Sequence, residues 1–500
     1  MVRHSQRHDA CGGGCGCHPS RRRFLGAFGT AAGALLAQPL LARMLEAADD
    51  EAGPAGMAGP GGRYVPNLKA AFARRREHPS WPTTLYDSEA ATRQYTKKLR
   101  EAAEALGVEV DLRVETIHSN EEADAWVAEA VEQKPDGVVV FALDRQPPAW
   151  PTVYKALDAG LPTVAYGPMG TSFMAEAGEA ARRGAFVCSA TAFDDVIYGM
   201  KMLRARAVLR EMRLLVVRGN ERRDAEMPFY GTKLRHFPEK AWREAYEQTD
   251  ISEAVRATGK EYLDAATEMV GPTRDDVLKA VRCYVSARRL LAEQECDAVT
   301  MNCLGAVGVG MAFPCLAFSR LLDQGVPAVC EADLNAAVAL MLVPLLFDRP
   351  GFMFNIVPVT DRGGLICSHC TCATRLKGFD QPPVPYHLAP HHFDRDAVPV
   401  PHWEPGEPVT VLQTPTGGDP RMIVLTGEVI DQVSVPPAGG CVVSPMIRLD
   451  GRFDNVLDLY GDRGITRRWG HHTLLYGNWR RQLRAFCDLF GMEAIFPQDA

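Results

Sequence analysis

A cysteine-rich stretch at residues 366–372, "ICSHCTC", holds one histidine among three cysteines. Imidazole nitrogen and thiolate sulfur are common zinc ligands, and paired cysteines also carry redox chemistry. A closed zinc site usually draws its ligands from two separated turns, whereas this stretch alternates like a strand, with His369 and Cys370 on opposite faces. Three interpretations stay open: zinc ligands, a redox pair, or a buried strand of small apolar thiols.

Two acids stand at a predicted strand-to-helix junction in "CEADLNAA". Glu331 and Asp333 follow the strand, and parallel α/β sheets bind ligands at the carboxyl ends of their strands. A carboxylate at such a junction can face an open cleft, so both are candidate functional residues. The alternative is that both are first-turn acids favoured by the helix dipole.

Two adjacent histidines lie in "RRWGHHTLLYG" near the C-terminus. In a strand, neighbouring side chains point to opposite faces, so at most one of His471 and His472 shares a site with Glu331 unless the chain bends. Neutral imidazole together with a hard carboxylate suits a divalent ion such as Mn²⁺.

Alternating strands and helices are predicted to position these groups. Residues 63–205 contain the apolar strands "DGVVVFAL" and "LPTVAYG", and residues 206–375 repeat the pattern with "MRLLVVRGN" and "CDAVTMNC". We predict an α/β fold with two parallel-sheet, Rossmann-like or flavodoxin-like domains. Proline-rich sequence and short alternating segments in residues 376–500 predict a smaller antiparallel β-rich domain with a closing helix.

The N-terminal residues 1–48 contain "SRRRFLGAFGTAAGALLAQPLLA", which resembles a twin-arginine export signal. An amphipathic helix after three arginines is the alternative. The apolar run is shorter than the ~20 residues of a spanning helix, so we expect no permanent membrane span. We predict export of the folded chain by the twin-arginine machinery to the periplasm, with residues 49–62 as a linker.

Composition limits the partners. The 500 residues carry a net charge of −7, and the basic residues are spread among acidic ones, so we expect no nucleic-acid partner. A small neutral ligand is the better expectation. Three of the 14 cysteines precede the signal, and the remaining 11 form no framework of regular spacing. Export after folding would allow these thiols to stay reduced.

The order of "CEADLNAA", a strand about two dozen residues later, and "WGHHTLLYGNWRRQLRAFCDLFGMEAIF" resembles the L-fucose isomerase and L-arabinose isomerase superfamily, in particular an exported branch with twin-arginine signals. The resemblance is specific mainly from residue 296 to residue 500. It implies a homo-oligomer that isomerises a small aldose or ketose sugar through a metal-bound enediol, with Mn²⁺ or another divalent cation.

The resemblance also implies a metal site made by Glu331, by the residue 24 positions later, and by His472. Glu331 would also act as acid and base, with His471 and His369 touching the substrate. The second metal position, an acid in that family, is Asn355 here. Asparagine offers a carbonyl oxygen but no charge or basicity, which weakens metal binding and leaves one proton-transfer role empty.

Two further interpretations follow from Asn355. Asp333 or Asp361 would have to supply the missing base, or the chain is a non-catalytic periplasmic carbohydrate-binding protein on an isomerase scaffold. Asn220, at the end of the strand "MRLLVVRGN", is a candidate for binding sugar hydroxyls, with ordinary loop polarity as the alternative.

Overall fold

The structure is a computed structural model that describes residues 56–77, 86–308, 310–391, 395–417, 420–433, 441–461 and 470–499. The predicted export signal in residues 1–48 lies outside this range, as does the first half of the predicted linker. The second half of that linker, residues 56–62, is packed against the fold. The backbone N–H groups of Gly61 and Gly62 each donate to the Asp297 carboxylate at 2.9 Å.

The first sheet has five parallel strands in the order β2-β1-β3-β4-β5. Its central strand β3 is a run of small and branched apolar residues buried on both faces, which requires helices on each side of the sheet. The strands are β1 (Asn67–Ala73), β2 (Glu109–Leu112), β3 (Gly137–Ala142), β4 (Thr163–Pro168) and β5 (Phe186–Ala190).

Helices flank this sheet, and two of them begin at side-chain caps. Asp87 caps the helix that begins at Ser88, and Ser119 caps the helix that begins at Asn120. The helices are α1 (Pro60–Arg63), α2 (Ser88–Leu106), α3 (Asn120–Gln133), α4 (Ala149–Asp158), α5 (Met174–Arg182) and α6 (Asp194–Glu211).

The second sheet has the order β10-β9-β6-β8-β7, and only the edge strand β7 runs antiparallel. The strands are β6 (Arg213–Val217), β7 (Arg223–Glu226), β8 (Lys233–Phe237), β9 (Ala298–Met301) and β10 (Ala328–Cys330). The helices are α7 (Glu239–Glu247), α8 (Glu253–Ala265), α9 (Arg274–Glu293), α10 (Cys303–Ala306), α11 (Cys315–Asp323) and α12 (Leu334–Phe347).

The third sheet is mainly antiparallel and has seven strands in the order β15-β18-β11-β12-β17-β16-β19. Strands β15 and β16 also pair, so six of the strands close into a barrel that leaves no open edge among them. The strands are β11 (Phe352–Val359), β12 (Gly364–Ser368), β15 (Pro408–Gln413), β16 (Arg421–Gln432), β17 (Pro445–Leu449), β18 (His472–Tyr476) and β19 (Glu493–Ile495).

The remaining elements are a hairpin and two helices. The hairpin joins β13 (Tyr386–His391) and β14 (Arg395–Pro401), and the helices are α13 (Phe453–Gly461) and α14 (Arg480–Leu489). The prediction of two parallel-sheet α/β regions followed by an antiparallel β-rich region is thus confirmed at this coarse level. The antiparallel sheet begins at β11, inside the range 206–375 that the sequence had suggested for the second α/β domain. Within the described ranges, every helix is too short or too polar to cross a membrane.

Candidate metal-binding site

The turn after β10 holds the first residue of the site. Glu331 and Ala332 both have positive φ, 61° and 53°, and α12 begins two residues later with Asp333 as its N-cap. Residues with a Cβ rarely adopt this conformation, and such backbone strain often occurs at functional sites. The Glu331 side chain is 34% exposed, so this turn keeps its carboxylate open to solvent.

Three side chains converge at this turn from distant parts of the chain. The Glu331 Oε1 lies 3.5 Å from His369 Nε2, and the Glu331 Oε2 lies 3.5 Å from His471 Nε2. The two imidazole rings meet edge to face, with their centroids 5.2 Å apart. One ligand atom from each of the three residues lies within 4.8 Å of the others, and we call these three residues the Glu-His-His cluster.

Asp333 orients His471 from behind. Its Oδ2 accepts the backbone N–H of His471 at 3.0 Å and lies 2.9 Å from the ring Nδ1. Its Oδ1 accepts the N–H groups of Asn335 and Ala336, at 2.8 and 3.1 Å, which caps α12. A proton on Nδ1 directed at this carboxylate leaves Nε2 of His471 as the lone-pair nitrogen facing Glu331.

Gly470 makes this contact possible. Its φ is +61°, and a Cβ built there would lie 2.2 Å from Asp333 Oδ2. Any side chain would therefore clash with the carboxylate that holds His471. The motif "WGHH" was read for its histidines, and the role of its glycine was missed because it depends on an aspartate 137 residues earlier in the chain.

Both carboxylates of the site are stabilised as anions. The hydrogen bond from His369 is the main cause that lowers the pKa of Glu331, against the opposing effect of burial. Burial also acts against the charge of Asp333, but its bonds from His471 and from the start of α12 together lower its pKa. Deprotonated carboxylates are the form that binds a cation.

His472, the sequence-predicted third metal ligand, is not brought to Glu331. It begins β18, pairs in register with Phe354, and is buried with its ring centroid 6.1 Å from the Phe354 ring. Burial lowers its pKa to about 3, so it is a neutral core residue. His471, predicted to touch substrate, takes the place beside Glu331, because alternation along the strand sends the two histidines in opposite directions.

The two predicted asparagines, Asn355 and Asn220, lie on strands or turns close to the site, but neither belongs to the Glu-His-His cluster. Asn355 is exposed on β11 and stands opposite Ser368, one residue before His369. Asn220 is exposed in the turn after β6, two strands from β10 in the second sheet. At about 4.8 Å per strand, Asn220 is about 10 Å along the same carboxyl edge from the turn that carries Glu331.

The described cysteines are free thiols. None of the eleven is in a disulfide, and ten of them are buried. The interpretation of "ICSHCTC" as a strand with buried thiols holds for Cys367 in β12, whereas Cys372 lies beyond the end of that strand; both are fully buried, and burial raises the pKa of each. His369 is the member of this stretch that joins the cluster.

The donor set fits a divalent cation. One carboxylate oxygen and two imidazole nitrogens suit zinc, iron(II) or manganese, with positions left over for other ligands. The Nε2 of His471 is buried and has no hydrogen-bond partner among the described residues, which is typical of a nitrogen that serves as a metal ligand. Ligand atoms on one ion lie about 3.0–4.2 Å apart for bonds of about 2.1 Å, so a closure of at most about 2 Å is needed from the observed spacing.

A cavity of about 750 Å³ lies elsewhere, between α6, the end of α12 and the start of α14. Its walls include Phe186, Tyr198, Phe347 and Trp479, and no member of the Glu-His-His cluster. The cavity and the group of potential metal ligands therefore lie in different parts of the structure. We assign the candidate site to the Glu-His-His cluster because of its ligand chemistry.

Comparison with known proteins gives weak similarities only. No protein-family model matches the chain, and no curated protein matches it. The glucose-galactose binding protein GanP from Geobacillus stearothermophilus matches with 14% identity, 56% of this chain and 91% of that chain, at a TM-score of 0.17. An ABC-transporter solute-binding protein from Burkholderia multivorans matches with 13% identity, 57% and 95% coverage, and a TM-score of 0.17.

A sugar-binding protein of a Bacillus halodurans ABC transporter matches with 12% identity, 59% and 91% coverage, and a TM-score of 0.16. Similarity at this level defines no family for the chain. The predicted resemblance to L-fucose and L-arabinose isomerases is corrected here, because no family model and no curated protein matches the chain and none of the solved structures named above is an isomerase. The isomerase assignment and its place in carbohydrate metabolism are corrected accordingly.

Proposed function

We propose that this chain is a carbohydrate-binding protein in which a divalent cation, held by Glu331, His369 and His471, presents open coordination positions to sugar hydroxyls. The observation that carries the proposal is the convergence of the three ligand atoms within 4.8 Å. Three protein ligands leave at least one position free on a four-coordinate to six-coordinate ion. Vicinal hydroxyl oxygens are suitable ligands for such a position.

The surroundings of the cluster favour binding over proton transfer. Asp333 already accepts hydrogen bonds from Asn335, Ala336 and His471, so it is not a free base. Asn355 has no basicity. Among the described residues, no fourth histidine, cysteine or acid joins the three within the same 4.8 Å. Among the described residues, the site thus holds ligands for a metal but no second carboxylate that is free of hydrogen bonds to act as a base.

Polar side chains around the cluster are proposed to contact the bound sugar. Asn355, on the strand paired with that of His369, can accept and donate hydrogen bonds to hydroxyls. Asn220 stands about 10 Å farther along the carboxyl edge of the second sheet, a distance that suits the far end of a ligand larger than one sugar ring. Asn302 follows β9, the strand between β10 and β6, and its amide N–H donates to Glu239 at 3.0 Å.

Export completes the proposal. A twin-arginine signal would deliver the chain already folded, which allows metal loading in the cytoplasm before the protein leaves it. Replacing both Arg21 and Arg22 by Lys is expected to retain the protein in the cytoplasm, as measured by cell fractionation. Unchanged periplasmic recovery of this variant would contradict the export route.

The central experiment measures metal and sugar binding on the same protein. Calorimetry with Mn²⁺ and Zn²⁺ is expected to give one site per chain, and Glu331→Gln is expected to weaken binding by roughly a hundredfold, because it removes the only anionic ligand. His471→Gln should behave similarly. His387→Gln is the matched control, since His387 contacts His402 in the β13–β14 hairpin and lies outside the cluster.

Sugar binding is then tested with a panel of monosaccharides and short oligosaccharides, with and without EDTA. Binding that disappears with EDTA and returns with metal supports the proposal, and Asn355→Ala should weaken sugar binding while metal affinity stays the same. Sugar binding that survives EDTA, or metal affinity that survives Glu331→Gln, would overturn it. Robust turnover of the sugar would also overturn it.

A further inference from the structure

The cavity between α6, the end of α12 and the start of α14 is large enough for a small molecule. Its volume of about 750 Å³ lies within the range of roughly 300–1,000 Å³ that is typical of ligand pockets. Helix α6 follows the first sheet, α12 belongs to the second, and α14 follows β18 of the third. The cavity therefore lies where the three regions of the fold meet, which is a common position for ligand sites.

Two pairs of aromatic rings line the cavity. The rings of Phe186 and Tyr198 meet edge to face, with their centroids 6.0 Å apart, and the rings of Phe347 and Trp479 stack at 4.5 Å. The Tyr198 hydroxyl donates to the backbone carbonyl of Gln482 at 3.0 Å, which ties α6 to α14. Aromatic rings attract cations to their faces and offer apolar contact to a ligand's carbon skeleton.

The lysines of the cavity are already paired with carboxylates. Lys201 of α6 pairs with Asp348 at the end of α12. Lys377 lies 2.6 Å from a carboxylate oxygen of Glu404 and 3.2 Å from one of Glu407, and neither glutamate lines the cavity. These two ammonium groups are therefore not available to bind an anion.

The arginines of the cavity are also engaged. Arg349 donates to two backbone carbonyls, at 3.2 and 3.1 Å, and its guanidinium lies 5.0 Å from the centroid of the Trp479 ring. Arg481 lies 4.0 Å from the carboxylate of Asp195, and its side chain is 85% exposed to solvent. One aromatic wall thus already holds a cation.

Two carboxylates of the cavity lack such compensation. Asp194 begins α6, Asp380 lies in a turn between β12 and β13, and both are exposed. Among the residues that the structure describes, neither carboxylate forms an ion pair or a hydrogen bond, and Asp380 acts on Arg349 through its charge alone. Aromatic walls beside uncompensated carboxylates are the combination that recognises an organic cation.

We propose that this cavity binds an organic ammonium ion with an apolar body. The aromatic walls contact the body, and the carboxylates of Asp194 and Asp380 balance the charge. An anionic ligand would be repelled by these carboxylates, and a neutral ligand would leave them uncompensated. The site is separate from the Glu-His-His cluster, since no member of the cluster lines the cavity, and it does not depend on metal or sugar binding there.

The test is calorimetry on the full chain in EDTA, with three probes that share a phenyl group and differ in charge: benzyltrimethylammonium, benzyl alcohol and phenylacetate. The cation is expected to bind at one site per chain, at least tenfold more tightly than the neutral and anionic probes. Its affinity should fall when the salt concentration is raised, because salt screens exposed charges.

Variants locate the bound cation. The double variant Asp194→Asn, Asp380→Asn should weaken cation binding by roughly fivefold or more and leave the affinity for benzyl alcohol unchanged. Asp250→Asn is the matched control, because Asp250 is an exposed aspartate between α7 and α8 that does not line the cavity. Ala485→Trp, which places a large ring in the cavity, should abolish binding.

The outcomes are decisive in each case. Absence of saturable binding of the cation, or equal affinity for the three probes, overturns the proposal. Cation affinity that is unchanged in the double variant overturns the role of the two carboxylates, and binding that survives Ala485→Trp overturns the location. The probe comparison and the salt dependence use the wild-type chain, so they decide the proposal even if a variant fails to fold.

Discussion

Replacing Asp333 by Asn separates two tasks of one side chain. Oδ1 of Asp333 caps α12 by accepting from Asn335 and Ala336, whereas Oδ2 accepts from the backbone and ring of His471. Asparagine is as good an N-cap as aspartate, so its single oxygen keeps the cap. Its amide nitrogen then faces the two N–H groups of His471, where an acceptor is needed.

The expected loss can be worked from this geometry. A hydrogen bond to a charged group contributes about 1.5–3 kcal/mol, and the loss of a carboxylate behind a ligating histidine typically costs 10–100-fold in metal affinity, or about 1.4–2.8 kcal/mol. Without the carboxylate, the ring proton is free to move to Nε2, and that tautomer cannot bind the metal. We expect Asp333→Asn to weaken Zn²⁺ binding 10–100-fold.

The assay is competition with a chromophoric chelator, combined with thermal unfolding in EDTA. Asp333→Ala is the comparison variant, because it removes the cap as well and should cost a further 0.5–2 kcal/mol or so of metal-free stability. Metal affinity of Asp333→Asn within twofold of the wild type would refute the role of Asp333 in orienting His471. Equal metal-free stability of the two variants would refute the division of tasks.

Two further predictions concern stability. Gly470→Ala should cost more than the ~1–2 kcal/mol of folding free energy that a positive φ alone costs, and it should weaken metal binding at least tenfold, because its Cβ would meet Asp333 Oδ2. The control is Gly491→Ala, which has a φ of +65° and open space around it and should show only the backbone cost. Equal effects of the two variants in calorimetry and metal titration would contradict the clash. Burial raises the pKa of Asp323 to about 6, so its protonated form favours the folded state, and up to ~3 kcal/mol of stability should be lost as pH rises from about 4 to 6. Asp323→Asn, whose oxygen can still accept from Thr374 and Arg375, should remove that slope in urea unfolding, and a slope that persists would contradict it.

Local sequence patterns predicted a strand, a helix or a turn well where neighbouring residues alone determine it. The valine run of β3 is buried on both faces, as its continuous hydrophobicity predicts. The turn between β10 and α12 was also visible in "CEADLNAA", and it is the turn that carries Glu331.

Patterns were weaker where two strands far apart in the chain must meet. Strand β11 was assigned with the second α/β region because it follows α12 directly, yet it pairs with β12 and β18 of the antiparallel sheet. Closure of the barrel through β15 and β16 is likewise a matter of pairing between strands. Alternation marks such segments as strands but does not identify their partners.

The sequence by itself determined the types of ligand and the turn that offers them: a carboxylate at Glu331, a histidine in "ICSHCTC", and a histidine pair after Gly470. Only the tertiary structure decided which histidine of that pair belongs to the site. His472 faces the core beside Phe354, whereas His471 is turned toward Glu331 and held there by Asp333. The physical reason is that a strand sends neighbouring side chains to opposite faces, and which face meets the turn of Glu331 depends on how β18 packs against that turn.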